Sequence, residues 1–354
     1  PQLRQDWLDK LNLKVPTTTD ELYTVLKAFK TQDPNGNGIQ DEIPMSGVGF
    51  SNSTHGIGTL LWPFGTHFDF YLENGTVKYG FMEQRLEEGL RYILKLFDEG
   101  LIDVDFVLQN REKMDAKVIN NQVGALFSFQ PTSFANAVKD KNSSFKVAAI
   151  PFLTGPYGDR KVYNSSYYND TSSVSAAITT ANTNPEGTAK WLDTFFGGKG
   201  LEYMNFGKEG KSFAWDGDYP KLTDEILNNP SGKSKADMLT LNIGTYSATF
   251  PTLQDWNFYE QTLEPAGIEA IETWTASLDT TGIIPPITFT AEEQKAVTKA
   301  MAQIKTYTDE TINKIVLGEE KIEALANARE EVRKMGIDNI LSIYQKAYER
   351  YQNR

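Results

Sequence analysis

The chain has 354 residues and no cysteine, and its 35 Lys and Arg against 47 Asp and Glu give a net charge of −12. Domains most often run to about 100–150 residues, so this length predicts two domains or one large one, and 40% hydrophobic content is enough for a core without covalent staples. Lack of cysteine excludes disulfides, cysteine-ligated zinc or iron–sulfur, thiolate catalysis and a cysteine-borne lipid anchor within this stretch. The acidic balance is the wrong sign for neutralising nucleic-acid phosphates or an anionic membrane surface, and no run of about 18 apolar residues spans a bilayer.

The first residues predict a helix with Trp7, Leu8 and Leu11 on one face. A second helix opens on Thr18 and Glu21 in capping-box spacing and continues with Leu22, Val25, Leu26 and Phe29 at the 3.6-residue period. A polar loop, DPNGNGIQDE over 33–42, leads into an aromatic region from Trp62 to Phe81 with a turn at Asn74-Gly75. Leu86, Leu90, Ile93, Leu94 and Phe97 mark the next helix, and Gly100 stands where a left-handed cap belongs. Apolar runs at Val123–Phe129, Phe145–Ile150 and Val174–Thr179 read as strands. The last feeds Asn184-Pro185, an N-cap and first-turn proline, and a helix through Trp191, Leu192 and Phe195. Strand followed by helix at this spacing predicts an α/β fold with a largely parallel sheet. Between Gly197 and Pro286 the pattern is mixed, with a helix near Ile268, Ile271 and Trp274. The final stretch is helical: Thr290 and Glu293 form another capping box, Val297, Met301 and Ile304 carry the stripe, and Gly318 and Gly336 divide three helices.

The loop at 33–42 carries the sharpest chemistry. Oxygen-bearing side chains stand at positions 1, 3 and 5 (Asp33, Asn35, Asn37), glycine at 6 permits the sharp turn, and the carbonyl of Ile39 falls at 7. This is the opening of an EF-hand, which wraps hard oxygens round one calcium ion. The ending departs from that pattern: position 12 is Pro44, and Asp41 and Glu42 close the loop early. Three carboxylates, two amide oxygens and a carbonyl still match the six to eight oxygens calcium takes. An ordinary Asx–Gly turn uses the same residue types, but alternation over three odd positions with two closing acids favours a structural calcium.

Catalysis finds little support. The two histidines, His55 and His67, lack a metalloprotease spacing, and the nucleophile-elbow, phosphate-loop and dinucleotide fingerprints are absent. Acid pairs such as Asp103/Asp105 and Asp216/Asp218 arise by chance among 47 acidic residues. The aromatics are more suggestive. Trp62, Trp215 and Trp256 stand beside Gly, Pro or Asp, where an indole face with polar neighbours suits a sugar ring, whereas Trp7, Trp191 and Trp274 fall at helical spacing and are expected in the core.

RQDWLDKLNLKVPTTTDELYTVLKAFKTQDPNGNGIQDEIP resembles the segment found in large bacterial extracellular solute-binding proteins (family 1), the lipoprotein receptors of ABC importers that include alginate- and oligosaccharide-binding members. ENGTVKYGF, LFDEGLIDVDF, AAITTANTNPEGTAKWLDTFF, MNFGKEGKSFAWDGD and ILSIYQKAYERY agree in order, so the resemblance covers essentially the whole chain. It implies a two-lobed, type II periplasmic-binding-protein-like α/β fold with a hinge and C-terminal helices. It also implies a chain that starts after the first strands of the N-terminal lobe, leaving that lobe incomplete. Residues 1–172 would then be the C-terminal lobe, 173–286 a returning part of the N-terminal lobe, and 287–354 a helical brace. The implied function is capture of an oligosaccharide between the lobes and delivery to a membrane permease by a monomeric, non-enzymatic, cell-surface or periplasmic lipoprotein. The family's calcium motif falls on Asp33, Asn35, Asn37, Ile39, Asp41 and Glu42. Trp62, Phe129, Tyr168, Trp215 and Trp256 are the cleft candidates, chosen for loop or strand-end position. A peptide or other solute receptor of the same fold, or a polysaccharide-active enzyme, are the alternatives.

Overall fold

Residues 1–49, 56–126, 144–158, 160–163, 176–229, 232–245 and 251–354 are described by a computed structural model. They divide between two units, Pro1–Asn169 with Glu269–Arg354, and Asp170–Ile268.

In the first unit, β1 (Gln2–Arg4) runs directly into α1 (Gln5–Leu11), followed by α2 (Thr19–Thr31) and β2 (Ile43–Ser46). The hairpin of β3 (Phe70–Glu73) and β4 (Thr76–Tyr79) turns through Asn74 and Gly75, both at positive φ (52° and 79°), the backbone that a two-residue hairpin turn demands. Helices α3 (Gln84–Asp98) and α4 (Arg111–Ile119) precede β5 (Val123–Leu126) and β6 (Val147–Ala149). Gly100, at φ 64°, ends α3 by donating to Phe97 O while Leu101 donates to Leu96 O.

The sheet order is β2-β5-β1-β6. Only β2 and β5 pair in parallel, and β1 is antiparallel to both its neighbours, with Leu3 opposite Ala125 on one side and Ala148 on the other. The expected largely parallel sheet is therefore corrected to a mixed one among the described residues. The crossover argument holds for β2 and β5, which α3 and α4 separate, and does not reach β1. Helices α1 and α2 press on one face so closely that a Cβ on Gly124 would stand 2.4 Å from Phe29 Cδ2 and 2.8 Å from Trp7 Cζ3.

In α2, Thr18 Oγ1 accepts from the Glu21 amide at 3.2 Å as expected, but Glu21 reaches back to the amide and hydroxyl of Thr17 (2.7 and 2.8 Å). The box is thus displaced by one residue on its return arm.

The second unit contains α5 (Pro185–Asp193), α6 (Gly198–Phe206), the hairpin β7 (Phe213–Asp216) and β8 (Tyr219–Leu222), the short α7 (Asp224–Leu227), α8 (Lys235–Asn242) and α9 (Trp256–Thr262). Its small core gathers Phe206, Phe213, Leu222, Ile226, Leu239 and Phe258. The expected strand at 174–179 is not formed over 176–179, which are exposed, while Val174 and Ser175 lie outside the described residues. Helix α5 has the predicted Asn184 cap, accepting from the Gly187 amide at 3.0 Å, yet buries none of its residues. Trp191, expected in the core, is 54% exposed. Leu192 and Phe195 of the same stripe are half-buried, and Thr252 Oγ1 donates to Phe195 O at 2.8 Å.

Helix α10 (Pro265–Ala276) leads back into the first unit. Its Trp274 is packed as expected and donates to Ile150 O at 3.1 Å. Helices α11 (Ala291–Val316), α12 (Ala324–Lys334) and α13 (Ile337–Gln352) complete the chain. Both arms of the Thr290/Glu293 capping box form. Ile304, Ile312, Val332 and Ile340 enter the same core as Trp7, Leu26, Met45 and Leu90, and Tyr344 stacks on Phe70 at 3.9 Å.

Candidate functional site

The loop after α2 folds on its own oxygens. Asp33 Oδ1 accepts from the amides of Gly36 (2.9 Å) and Asn37 (3.1 Å), and Oδ2 from Gly38 (3.1 Å). Asn35 Oδ1 accepts from the Asn37 amide and Asn37 Oδ1 from the Ile39 amide, at 3.0 and 2.7 Å. Gly36 and Gly38 both adopt φ 75°, which places these turns where a Cβ would be strained. The Ile39 carbonyl accepts from the Asp41 amide at 3.0 Å and keeps a second lone pair, while its side chain is exposed.

The closing acids differ. Asp41 Oδ1 accepts from the side-chain amides of Asn35 and Asn37, both at 2.9 Å, and Oδ2 from Gln122 at 3.3 Å. Burial works against its ionisation, but these three amides hold its pKa below the usual carboxylate range. Both Glu42 carboxylate oxygens are buried without a hydrogen-bond partner. Burial raises its pKa, its own amide opposes that, and the charges of Asp33 and Asp41 add to the rise. A buried, unsatisfied carboxylate beside two others is costly unless a cation meets it. The donor set is all hard oxygen, which fits calcium. Among the described residues no three His, Cys, Asp or Glu side chains converge as a formed metal cage.

Lys10, on α1, donates to the carbonyls of Asp33 (3.0 Å) and Pro34 (3.1 Å) and so ties the loop's first turn to the helix. Sequence reading missed it, since nothing local announces a contact 23 residues away.

The aromatic candidates separate. Trp62 is only 6% exposed and tilts against Phe152 at 6.0 Å, so it serves packing in the first unit. Trp215 and Trp256 are each 45% exposed in the second unit. Neither is on a loop: Trp215 belongs to β7 and Trp256 is the first residue of α9. Both are edge-on to an aromatic of their own element, Phe213 and Tyr259. Tyr219 ties β8, the hairpin partner of β7, to α9, its hydroxyl donating to Glu260 at 2.6 Å. Phe129, Tyr168 and His55 lie outside the described residues.

His67 is buried and stacked on Tyr163 at 4.7 Å, with Nε2 3.0 Å from Phe70 O. Burial pushes its pKa down to about 4, so it stands neutral at pH 7. The acid pairs are occupied by lysines: Lys117 contacts both oxygens of Asp103 and one of Asp105, all at 2.8 Å, and Lys221 contacts Asp216.

No protein-family model matches the chain. It is 33% identical over 214 residues to the fructooligosaccharide ABC transporter substrate-binding protein FusA of Streptococcus pneumoniae, covering 59% of this chain and 38% of that protein. It is 31% identical over 172 residues to lipoprotein LipO of Bacillus subtilis, covering 47% of this chain and 34% of that one. The chain thus spans a little over a third of the length of these relatives. The solved structure of FusA in complex with kestose superposes with a TM-score of 0.72 at 25% identity, over 99% of this chain and 72% of that one. A second FusA structure, of an EF-hand mutant in complex with fructo-nystose, gives 0.71 at 24% over the same shares. The chain is therefore a homologue of an ABC transporter substrate-binding protein and shares the mixed α/β fold of its solved structure.

Proposed function

We propose that the chain is the ligand-capturing part of an extracellular, lipid-anchored solute-binding protein that takes an oligosaccharide and hands it to an ABC permease, as a monomer and without catalysis. The observation that carries this reading is the similarity to a receptor named for fructooligosaccharides. In it, Pro1–Asn169 with Glu269–Arg354 supplies one lobe and the terminal helices, and Asp170–Ile268 belongs to the other. Trp215 and Trp256 are the stacking platforms, since each holds a large apolar face in water, a cost offset when a sugar covers it. Asp33, Asn35, Asn37, Asp41, Glu42 and the Ile39 carbonyl hold one structural calcium, with the unpartnered Glu42 as the closing ligand. The existence of an EF-hand mutant of FusA supports this part of the reading.

Calorimetry against panels of oligosaccharides and peptides tests the function. Micromolar or tighter binding of a glycan, weakened about 10-fold or more by Trp215→Ala or Trp256→Ala, is the expected result. Unchanged affinity in both variants refutes the stacking assignment, binding confined to peptides refutes the carbohydrate class, and release of shortened products refutes the absence of catalysis.

A further inference from the structure

A cavity of about 330 Å³ opens in the first unit where α11 meets β4 and the segment before β3. Phe68, Tyr79, Phe81 and Met301 give it an apolar floor, and Asp69, Lys305, Asp309 and Asn313 a polar rim. The Tyr79 hydroxyl lies 3.4 Å from Thr308 Oγ1, fixing the floor to the helix. Burial raises the pKa of that hydroxyl, the Thr308 hydroxyl opposes the rise, and the charges of Asp69 and Asp309 add to it.

We propose that this cavity binds a single neutral sugar ring, an inference that rests on the oligosaccharide reading above and narrows it. The volume lies at the lower end of small-ligand pockets. An apolar floor with a polar rim matches the two surfaces of a sugar, its C–H face and its hydroxyl edge. The charges set the class. Lys305 Nζ lies 3.1 Å from Asp309 Oδ2, so that pair is internally balanced. Asp69 takes the Phe70 amide on Oδ1 at 2.8 Å and has no ion-pair partner among the described residues. The rim thus holds one carboxylate in excess. Carboxylates only accept hydrogen bonds, so they call for hydroxyl donors, while Lys305 and Asn313 can donate to neighbouring hydroxyl oxygens. An acidic sugar would bring a second uncompensated carboxylate against Asp69, a juxtaposition that costs affinity.

The test is calorimetry of the intact chain with four neutral trisaccharides (kestose, maltotriose, cellotriose and galactotriose) and with trigalacturonate, on wild type, Asp69→Asn and Met301→Trp. Asn at 69 keeps an oxygen for the Phe70 amide and removes only the charge; Trp at 301 fills the floor, with the melting temperature as the check on folding. Binding of at least one neutral trisaccharide, no measurable binding of trigalacturonate, and a loss of about 10-fold or more in both variants is the expected result. Neutral binding unchanged in both variants but lost in Trp215→Ala or Trp256→Ala overturns this inference while leaving the oligosaccharide reading standing. A preference for trigalacturonate overturns the neutral class. Failure of every glycan overturns the parent reading and this one together.

Discussion

His67 gives the first unit a calculable sensitivity to acid. Its imidazole is buried and stacked on Tyr163, and burial lowers its pKa from 6.5 to about 4. Between those values the unfolded chain binds a proton that the folded chain refuses. Stability contributed by this group is therefore complete above pH 6.5 and is lost as pH falls towards 4. One pKa unit corresponds to about 1.36 kcal/mol, so the full loss approaches about 3 kcal/mol, of which about 2 kcal/mol falls between pH 7 and pH 5. Glutamine places its amide near the Nε2 position and cannot titrate, so His67→Gln removes the term while keeping a donor for Phe70 O. Urea unfolding of wild type and variant at pH 7 and pH 5 isolates it, because all other titrating groups are shared. The wild type should lose about 2 kcal/mol more than the variant over that interval. Equal losses in the two proteins refute a buried neutral imidazole.

For the loop, EDTA should lower the melting temperature and added calcium restore it, because an ion that binds only the folded state stabilises it by about 2.7 kcal/mol at 100 times its dissociation constant. Glu42→Gln should abolish most of that response while leaving the metal-free protein as stable or more so, since the variant removes a buried charge with no partner. No calcium response in the wild type would refute the metal site. Gly124→Ala should destabilise the first unit by about 1–3 kcal/mol through overpacking against Phe29 and Trp7, and a change in urea midpoint below the equivalent of about 0.5 kcal/mol would refute the close approach.

Much of the helical framework was readable because each signal was local. Thr18, Thr290, Asn184 and Gly100 mark helix ends through bonds spanning a few residues, and the stripes of α2, α3 and α11 repeat often enough to be unambiguous. The oxygen-rich loop at 33–42 was legible for the same reason: its oxygens alternate within ten positions. Strands β1 and β2 were not. With three and four residues they are too short for alternation, and Pro44 inside β2 reads as loop. Exposure was also hidden. Trp191 sits on a sound helical stripe, and its 54% exposure is set by tertiary packing that no local pattern records. The cavity beneath α11 joins Tyr79 to Thr308, residues whose proximity no local pattern records.

The shared core of the first unit constrains the order in which it can form. Tyr344 stacks on Phe70, and Gln345 accepts from the Val77 amide across 268 positions of sequence. Arg329 donates to the carbonyls of Phe81 and Glu83 at a similar remove. During synthesis the hairpin β3–β4 emerges long before these partners, with the whole of Asp170–Ile268 still to come. Until α12 and α13 arrive, Phe70 and Phe81 lack part of the surface that buries them, and the loop-closure entropy of a long intervening chain stands against the last contacts. The contacts that complete this core therefore join residues synthesised early to residues synthesised late, so their formation waits on the later segment.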